Sequence, residues 1–487
     1  KDIELFHTPD RMPYAVIKQD GHIEVWPLES RTVKDYLSRR YYKKTGSAPS
    51  LQAIQNAFNV FRGHALFDGL EKPVYTRLAG HNGKIFVDLC NSDWSVVEIT
   101  AKGWQVILFP PIHFVRSRGM TALPTPQAGG DINELRDFLN TTNDDWPLLL
   151  AWLIGTFMPK GPFPVLVLTG EQGSAKSTVA RIIRSLVDPS TIPLRSLPKD
   201  ERDLAISASN SWIISFDNVS YLVPWLSDAI CRLATGGGFA TRELYANAEE
   251  VLFTATRPII LNGIGDIATR SDLLDRAIII VLPTISNDKR RTEADMQKEF
   301  ERVCPLFLAS LLNAVSLALG NVGTVKLNGM PRMADFAKWV IAAIPALGVV
   351  PNDFLSAYGK NIQDIHELAL ESTPVGRAII ILAGEIPKGG EWVGTATELL
   401  DKLSFDVGET AEHRKDWPKS AKALGGILNR LTPNFRARGV EITRNRGSGE
   451  RLIYIRKSKQ NYITPAKHKK AKIVTKTGTK LHINMTR

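Results

Sequence analysis

Residues Pro164–Thr178 read PVLVLTGEQGSAKST. Val165–Leu168 has the aliphatic, β-branched make-up of a short buried strand, a glycine-bearing loop follows, and Lys176–Val187 carries apolar residues at helical spacing. Strand, loop and helix in that order make a phosphate cradle. A phosphate needs unpaired backbone N–H groups, the positive end of a helix, an ammonium, and a hydroxyl for magnesium. Gly170, Glu171, Gln172, Gly173, Ser174, Ala175, Lys176, Ser177 and Thr178 form the candidate loop, with Lys176 as the ammonium and Ser177 as the hydroxyl. The place directly before the lysine, usually glycine, holds Ala175. Alanine is tolerated there at modest cost if the loop has a negative φ at that point.

Further along, SWIISFDNVS places Asp217 at the end of the apolar run Trp212–Phe216. In an open α/β sheet the carboxyl ends of the strands face the ligand, so Asp217 is expected beside the loop, sharing a magnesium ion with Ser177. The next position, where a glutamate usually polarises the attacking water, is Asn218. An asparagine orients a water but takes no proton, which leaves Glu171 or Asp228 as the candidate base, hydrolysis by positioning alone, or slow turnover. Two short strands, Ala240–Tyr245 and Glu250–Ala255, read as a hairpin, and Pro258–Leu261 as a buried strand ending at Asn262. Asn262 is a candidate contact to the γ-phosphate or its water, or else a turn cap. After a short helix carrying Arg270, Arg276 precedes the apolar strand Ala277–Leu282. An arginine there is expected to project from the subunit's edge and to serve a neighbour's site in a ring. A local ion pair with Asp272 or Asp275 is the alternative.

GEQGSAKST, IISFDN, the hairpin GFATRELY…EEVLF, PIILNG and DLLDRAIIIVLP occur in the order found in ring-forming AAA+ ATPases. The set resembles the helicase-type members: superfamily 3 helicases of small viruses and plasmids, the helicases of phage primases, and the minichromosome-maintenance helicases. Its wording is most similar to the ATPases of bacterial prophages, genomic islands and other mobile elements. The resemblance covers about residues 135–345. It implies a hexameric ATP-driven motor on DNA, with Asn262 in the sensor 1 place and Arg276 as arginine finger. Arg332, at the start of the third helix of the expected lid, takes the sensor 2 place, touching the γ-phosphate of its own or an adjacent subunit.

With 487 residues the chain exceeds one core, and 44% hydrophobic with 23% charged residues is a globular composition. The expected fold is multidomain α/β. An α+β binding or assembly domain takes residues 1–130, the P-loop AAA+ core 131–285, a helical lid and connector 286–370, a winged-helix DNA-binding domain 371–456 and a basic tail 457–487. In the first domain a helix at about 31–44 carries Arg39, Arg40, Lys43 and Lys44 beside Tyr36, Tyr41 and Tyr42. These could hold single-stranded nucleic acid by charge and stacking, or be the charged outer face of a packing helix. LPTPQAGG, Leu123–Gly130, reads as the linker. Helices at Arg291–Glu301, Pro305–Leu319 and about 331–345 read as the lid. Three later helices and a β-hairpin around a Gly-Ser-Gly turn read as the winged helix, a module that binds duplex DNA or else contacts protein. Lys419, Lys422 and Arg430 lie on its recognition helix, and Arg444, Arg446 and Arg451 on its wing.

Net charge is +11, and the last 32 residues, from Arg456, hold ten Lys or Arg and no acid. Such an arm gains affinity for nucleic acid by releasing counterions, or else only solubilises. No apolar run approaches a membrane span, and the first residues carry no signal-peptide pattern. A chain opening on Lys1 leaves room for an upstream part of the natural protein. Cys90, Cys231 and Cys304 are scattered, as buried small residues of a reducing cytoplasm are, without zinc spacing.

The reading is a cytoplasmic, homo-hexameric ATP-dependent DNA helicase or replication-initiation ATPase of a mobile element. ATP and magnesium are its cofactors, and a primase or other replication protein a possible partner. Single-stranded DNA passes the ring along the hairpin around Arg242, which Glu243, Glu249 and Glu250 leave too weakly basic to be the only grip, and duplex meets the winged helix. The alternative is a nucleotide-switched DNA-binding assembly factor that does not unwind.

Overall fold

The computed structural model describes residues 3–19, 21–242, 250–253, 255–264, 267, 270–327, 331–407, 417–446 and 451–458. At its centre four parallel strands pair in the order Ile214–Phe216, Ile259–Asn262, Val165–Thr169, Ala277–Val281. The strand at Val165 is apolar without alternation because both its faces are covered. Leu166 and Leu168 pack with the helix Trp146–Gly155 and the helices beyond it, while Val165 and Val167 pack with the helix Pro224–Thr235. A bridge from Arg195 to Phe216 adds a parallel contact beside the Ile214–Phe216 strand. Leu168 is in register with Asn262 and Phe216 with Leu261, so the loop, Asp217 and Asn262 leave the sheet at one edge.

The expected boundary at Leu123–Gly130 is not a free linker. Leu123 is buried in the main core, the Gln127 N–H donates to the Pro305 carbonyl at 3.1 Å, and the Ser310 hydroxyl donates to the Gly130 carbonyl at 2.9 Å. The antiparallel sheet Leu78–His81, Lys84–Asp88, Val96–Thr100, Gly103–Ile107 alternates as a two-faced sheet should. Its Ile85, Val87, Val97 and Ile99 join the main core, and Phe86 and Val96 pack on the other side with Ile112 and Phe114. A strand not expected from the sequence, Ile3–His7, pairs with Pro13–Gln19, which pairs with His22–Pro27. The helices Arg31–Thr45 and Leu51–Gly63 lie against that outer sheet.

A buried ion cluster ties these parts together. Arg77, fully buried, reaches Asp188 at 3.0 Å and the carbonyls of Asp88 and Thr121 at 2.9 Å. Asp188 also accepts the backbone N–H groups of Trp212 and Ile213 at 2.9 and 3.0 Å, and the equally buried Arg184 lies 3.7 Å away. Asp188→Ala leaves two buried guanidinium groups without their anion, and such losses cost about 3–5 kcal/mol. Urea unfolding should show a destabilisation of that size, and a change below about 1 kcal/mol would count against the cluster as a clamp.

The two helices expected around Pro305 are one, Glu293–Asn321. Proline removes one helical bond and costs about 3 kcal/mol. Burial of Cys304, Phe307, Leu308, Leu311 and Leu312 along an unbroken stripe outweighs it. By length and composition Glu293–Thr324 is long and apolar enough to cross a membrane, contrary to the sequence reading, but 56% of its apolar window is buried in the protein. Burial also pushes the Cys231 and Cys304 thiols up to about 12, so both behave as small apolar groups.

The helix Pro351–Glu371 bridges two cores: Ile365 and Ala369 pack under the central sheet, and Leu370 packs in the C-terminal core. Beyond it come the helix Pro374–Glu385, the strand Glu391–Thr395, which sequence reading missed, and the helices Ala396–Val407 and Ala421–Ala437. Strands Val440–Arg446 and Arg451–Lys457 follow, and Arg451–Lys457 takes the centre of a three-stranded antiparallel sheet.

Candidate phosphate-binding site

The loop after Thr169 closes on itself. The Lys176 ammonium donates to the carbonyls of Gly170 and Glu171 at 2.9 and 2.7 Å and lies 3.3 Å from the Ser174 hydroxyl. Burial pulls its pKa down, and the nearby Asp217 carboxylate pulls it back up. Asn140, absent from the sequence reading, ties the loop to the strand edge by donating to the carbonyls of Ser174 and Pro283 at 3.0 and 2.5 Å. Gly170 has φ +148°, and a Cβ there would lie 2.5 Å from the Leu282 carbonyl oxygen, so no side chain fits.

Ala175 corrects the sequence expectation. Its φ is +61° and ψ +28°, the left-handed region rather than a negative φ. A Cβ there meets the following carbonyl, at a cost of about 1–2 kcal/mol. The helix opening at Lys176 requires the turn, and the surrounding loop holds it. Ala175→Gly should therefore raise stability by about 1 kcal/mol, read as a higher urea midpoint at unchanged m. No gain would mean that the strain is absent.

Around the loop, three strand ends converge. The Ser177 hydroxyl donates to the Asp217 carboxylate at 3.0 Å. The Asn218 N–H is shared between that carboxylate oxygen at 2.9 Å and the Asn262 side-chain oxygen at 3.0 Å. Asn218 itself is exposed, with φ +54°. Asn262 is buried, and its amide nitrogen has no hydrogen-bond partner among the described residues. An unpaired buried N–H donor costs roughly 1–3 kcal/mol, and this one sits next to the loop. Gly263 allows the approach: a Cβ there would fall 1.9 Å from the Val219 carbonyl oxygen.

Of the candidate bases, Asp228 is engaged by Arg270 at 2.8 Å, whereas Glu171 is exposed within the loop. A cation missed by the sequence reading, Arg290, places a guanidinium nitrogen 3.3 Å from where a Cβ of Gly173 would be. A cavity of about 960 Å³ between the helices at 146–155 and 351–371 contains none of the loop residues.

Arg276 and Arg332 lie at the opposite edge of the sheet. The Arg276 carbonyl accepts from the Val165 N–H at 2.9 Å, at the start of the strand whose far end carries the loop. Five residues of strand separate the two, roughly 16 Å. Arg276 does not project freely as expected. It pairs with Asp272, and its side chain is 20% exposed. Arg332 pairs with Asp275 at 2.6 Å and with Asp272 at 3.4 Å, on the side of the sheet where Arg276 lies. Burial pushes the Asp272 carboxyl up, but Arg276 and Arg332 more than offset this and hold it below the usual range.

On the helix Ala421–Ala437, Leu424, Leu428, Leu431 and Phe435 face the core. Lys422 and Arg430, with Lys419 just ahead of the helix, are exposed on the opposite stripe. Arg444, expected on the wing, donates to the Gly425 carbonyl at 2.9 Å and braces strand to helix. Burial lowers its pKa, and Arg451 adds repulsion. Arg451 is exposed. The strands carrying Arg242 and Arg446 are paired as expected, but both side chains, the tip 243–249, the turn 447–450 and the tail from 459 lie outside the described residues.

Two family descriptions match the sequence. "Actinomycete integrative conjugative element replication protein" covers residues 132–367, and "AICE RepA C-terminal domain" covers 375–472. No curated protein matches. Among solved structures, two apo structures of the NrS-1 C-terminal region each cover 94% of this chain. They show 11% and 12% identity, 97% and 96% coverage of their own chains, and a TM-score of 0.39.

Proposed function

We propose, from the match of residues 132–367 to the actinomycete integrative conjugative element replication protein description and of residues 375–472 to its RepA C-terminal domain description, that the chain is a ring-forming ATPase that translocates on and unwinds DNA when the element replicates in the cytoplasm. The observation that carries this reading is the meeting of Ser177, Asp217 and the unpartnered Asn262 amide beside the Lys176 loop. The strand order supports it. The Asn262 strand lies between the loop strand and the Asp217 strand, which fits an amide that would hold a water for attack on a terminal phosphate.

In this reading the loop amides and Lys176 hold the phosphates of ATP, and Arg290 adds a second cation from the same subunit. Ser177 and Asp217 would hold magnesium, which neutralises charge as the phosphoryl group transfers. Asn262 donates to the attacking water, Asn218 helps orient it, and Glu171 is the carboxylate left to take its proton. Arg276 and Arg332, out of reach of their own loop, stabilise charge in the neighbour's site, which makes a ring, expected to be a hexamer, a requirement of the chemistry. The order helix, strand, helix, helix, strand, strand among the described residues of the C-terminal region supports a winged-helix reading, in which Lys419, Lys422 and Arg430 would meet duplex DNA and Arg451 would lie on the wing.

A second reading rests on Asn218. With no carboxylate at that position and Asp228 tied to Arg270, the protein could bind ATP, hydrolyse it slowly and act as a switched DNA-binding assembly. Phosphate release with and without single-stranded DNA, run beside strand displacement from a forked duplex, separates the two. DNA-stimulated turnover with displacement supports the motor. Slow, unstimulated turnover without displacement supports the switch.

A further inference from the structure

The helix Arg31–Thr45 begins as an ordinary packing helix and then leaves the body of the protein. Val33 is buried, and Tyr36 and Leu37 pack partly against the sheet residues Ala15, Ile17 and Leu28. From Arg39 to Ala48 every residue is exposed. At 3.6 residues per turn, the positions that continue the face of Val33, Tyr36 and Leu37 are Arg40, Lys43 and Lys44. The cations therefore stand on the prolongation of the inner face rather than on the outer one, and an amphipathic packing helix does not account for them.

Neighbours at i+3 and i+4 complete the surface. Arg39 adjoins Tyr42 and Lys43, and Lys44 adjoins Tyr41, so the cationic strip has a tyrosine on each flank. Tyr41 and Tyr42 are 44% and 59% exposed. The sequence between Tyr36 and Asp68 contains no Asp or Glu, and Arg39, Lys43 and Lys44 have no ion pair among the described residues. Cations in a last helical turn are also favoured by the helix dipole, which covers Lys43 and Lys44 but not two adjacent aromatic rings left in water.

We propose that this projecting end, Arg39–Lys44, is a single-stranded DNA-binding site, separate from the ATPase ring and the C-terminal domain. The cations track the phosphates while Tyr41 and Tyr42 stack on bases, and because every base has a π-face the site tolerates any sequence. Residues 1–131 lie outside both matched family regions, and the site does not depend on ATP.

The test is binding of a fluorescent thirty-nucleotide oligo-dT and of a thirty-base-pair duplex to the full chain without nucleotide, across a salt series. Tyr41→Ala with Tyr42→Ala should weaken oligo-dT binding by at least tenfold, whereas Tyr41→Phe with Tyr42→Phe, which keeps the rings, should bind as the natural chain does. Arg39→Gln, Lys43→Gln and Lys44→Gln together should flatten the log–log salt dependence for oligo-dT by about 2, from roughly 0.7 per lost phosphate contact. Duplex binding should hold in every variant, and the losses should recur in a Lys176→Ala background, which separates this site from the nucleotide reading. All five positions are exposed, so melting temperatures should not move. Unchanged oligo-dT affinity and salt slope would overturn the proposal, and an equal loss for duplex would overturn the single-strand assignment.

Discussion

Lys176→Ala should lower ATP hydrolysis by at least ~10²–10³-fold, the scale of losing one preorganised electrostatic contact to a developing charge. The ammonium is already inside the loop, held by the Gly170 and Glu171 carbonyls. Burial weakens its charged state there, and Asp217 restores it. In the proposed function, ATP would exchange those carbonyls for its phosphate oxygens at an ammonium already in the loop. Alanine leaves both the phosphates and the carbonyls without their cation. Phosphate release under saturating ATP measures the effect, and binding of a fluorescent ATP analogue shows whether affinity falls with it. Retention of more than about a tenth of the natural rate would remove Lys176 from the phosphate site.

The second large effect is at Arg276, where alanine should cut turnover by ~10³-fold or more while leaving nucleotide binding intact, as expected for an arginine supplied in trans. Fold stability should change little, because Asp272 keeps Arg332 as a partner. The decisive measurement mixes Lys176→Ala subunits with Arg276→Ala subunits. Each supplies what the other lacks, so an interface with an intact loop on one side and an intact arginine on the other regains function. Random equal mixing in a closed ring gives about a quarter of such interfaces. Recovery of activity from two inactive proteins is the expected result. If the mixture stays inactive although mixed assemblies form, Arg276 is no more than the partner of Asp272.

Much of the site could be read in the chain because its parts are local. A strand, a glycine loop and a helix are adjacent in sequence, and the aspartate and asparagine each close an apolar run of strand length. The same locality explains the hairpin and the order of the C-terminal helices. What escaped reading was short or non-local. Asn140 and Arg290 carry no motif and meet the loop only in three dimensions. The strands Ile3–His7 and Glu391–Thr395 are defined by their partners rather than by strong apolar runs. Leu123–Gly130 has a linker's composition, but its leucine and backbone groups are used in packing.

By itself the sequence determined where the glycine-bearing loop between strand and helix begins, that Ser177, Asp217 and Asn262 each stand at the end of a strand or the start of a helix, and that basic residues crowd the C-terminal domain and tail. Local spacing and composition suffice for such statements because strand, turn and helix are short-range patterns. Only the tertiary structure decided that the three side chains meet, that Ala175 sits in left-handed backbone, and that Arg276 and Arg332 share Asp272 a strand's length away from their own loop. Those outcomes depend on sheet order and register, which are set by burial of both faces of the central strands against residues distant in the chain, and no local pattern encodes them.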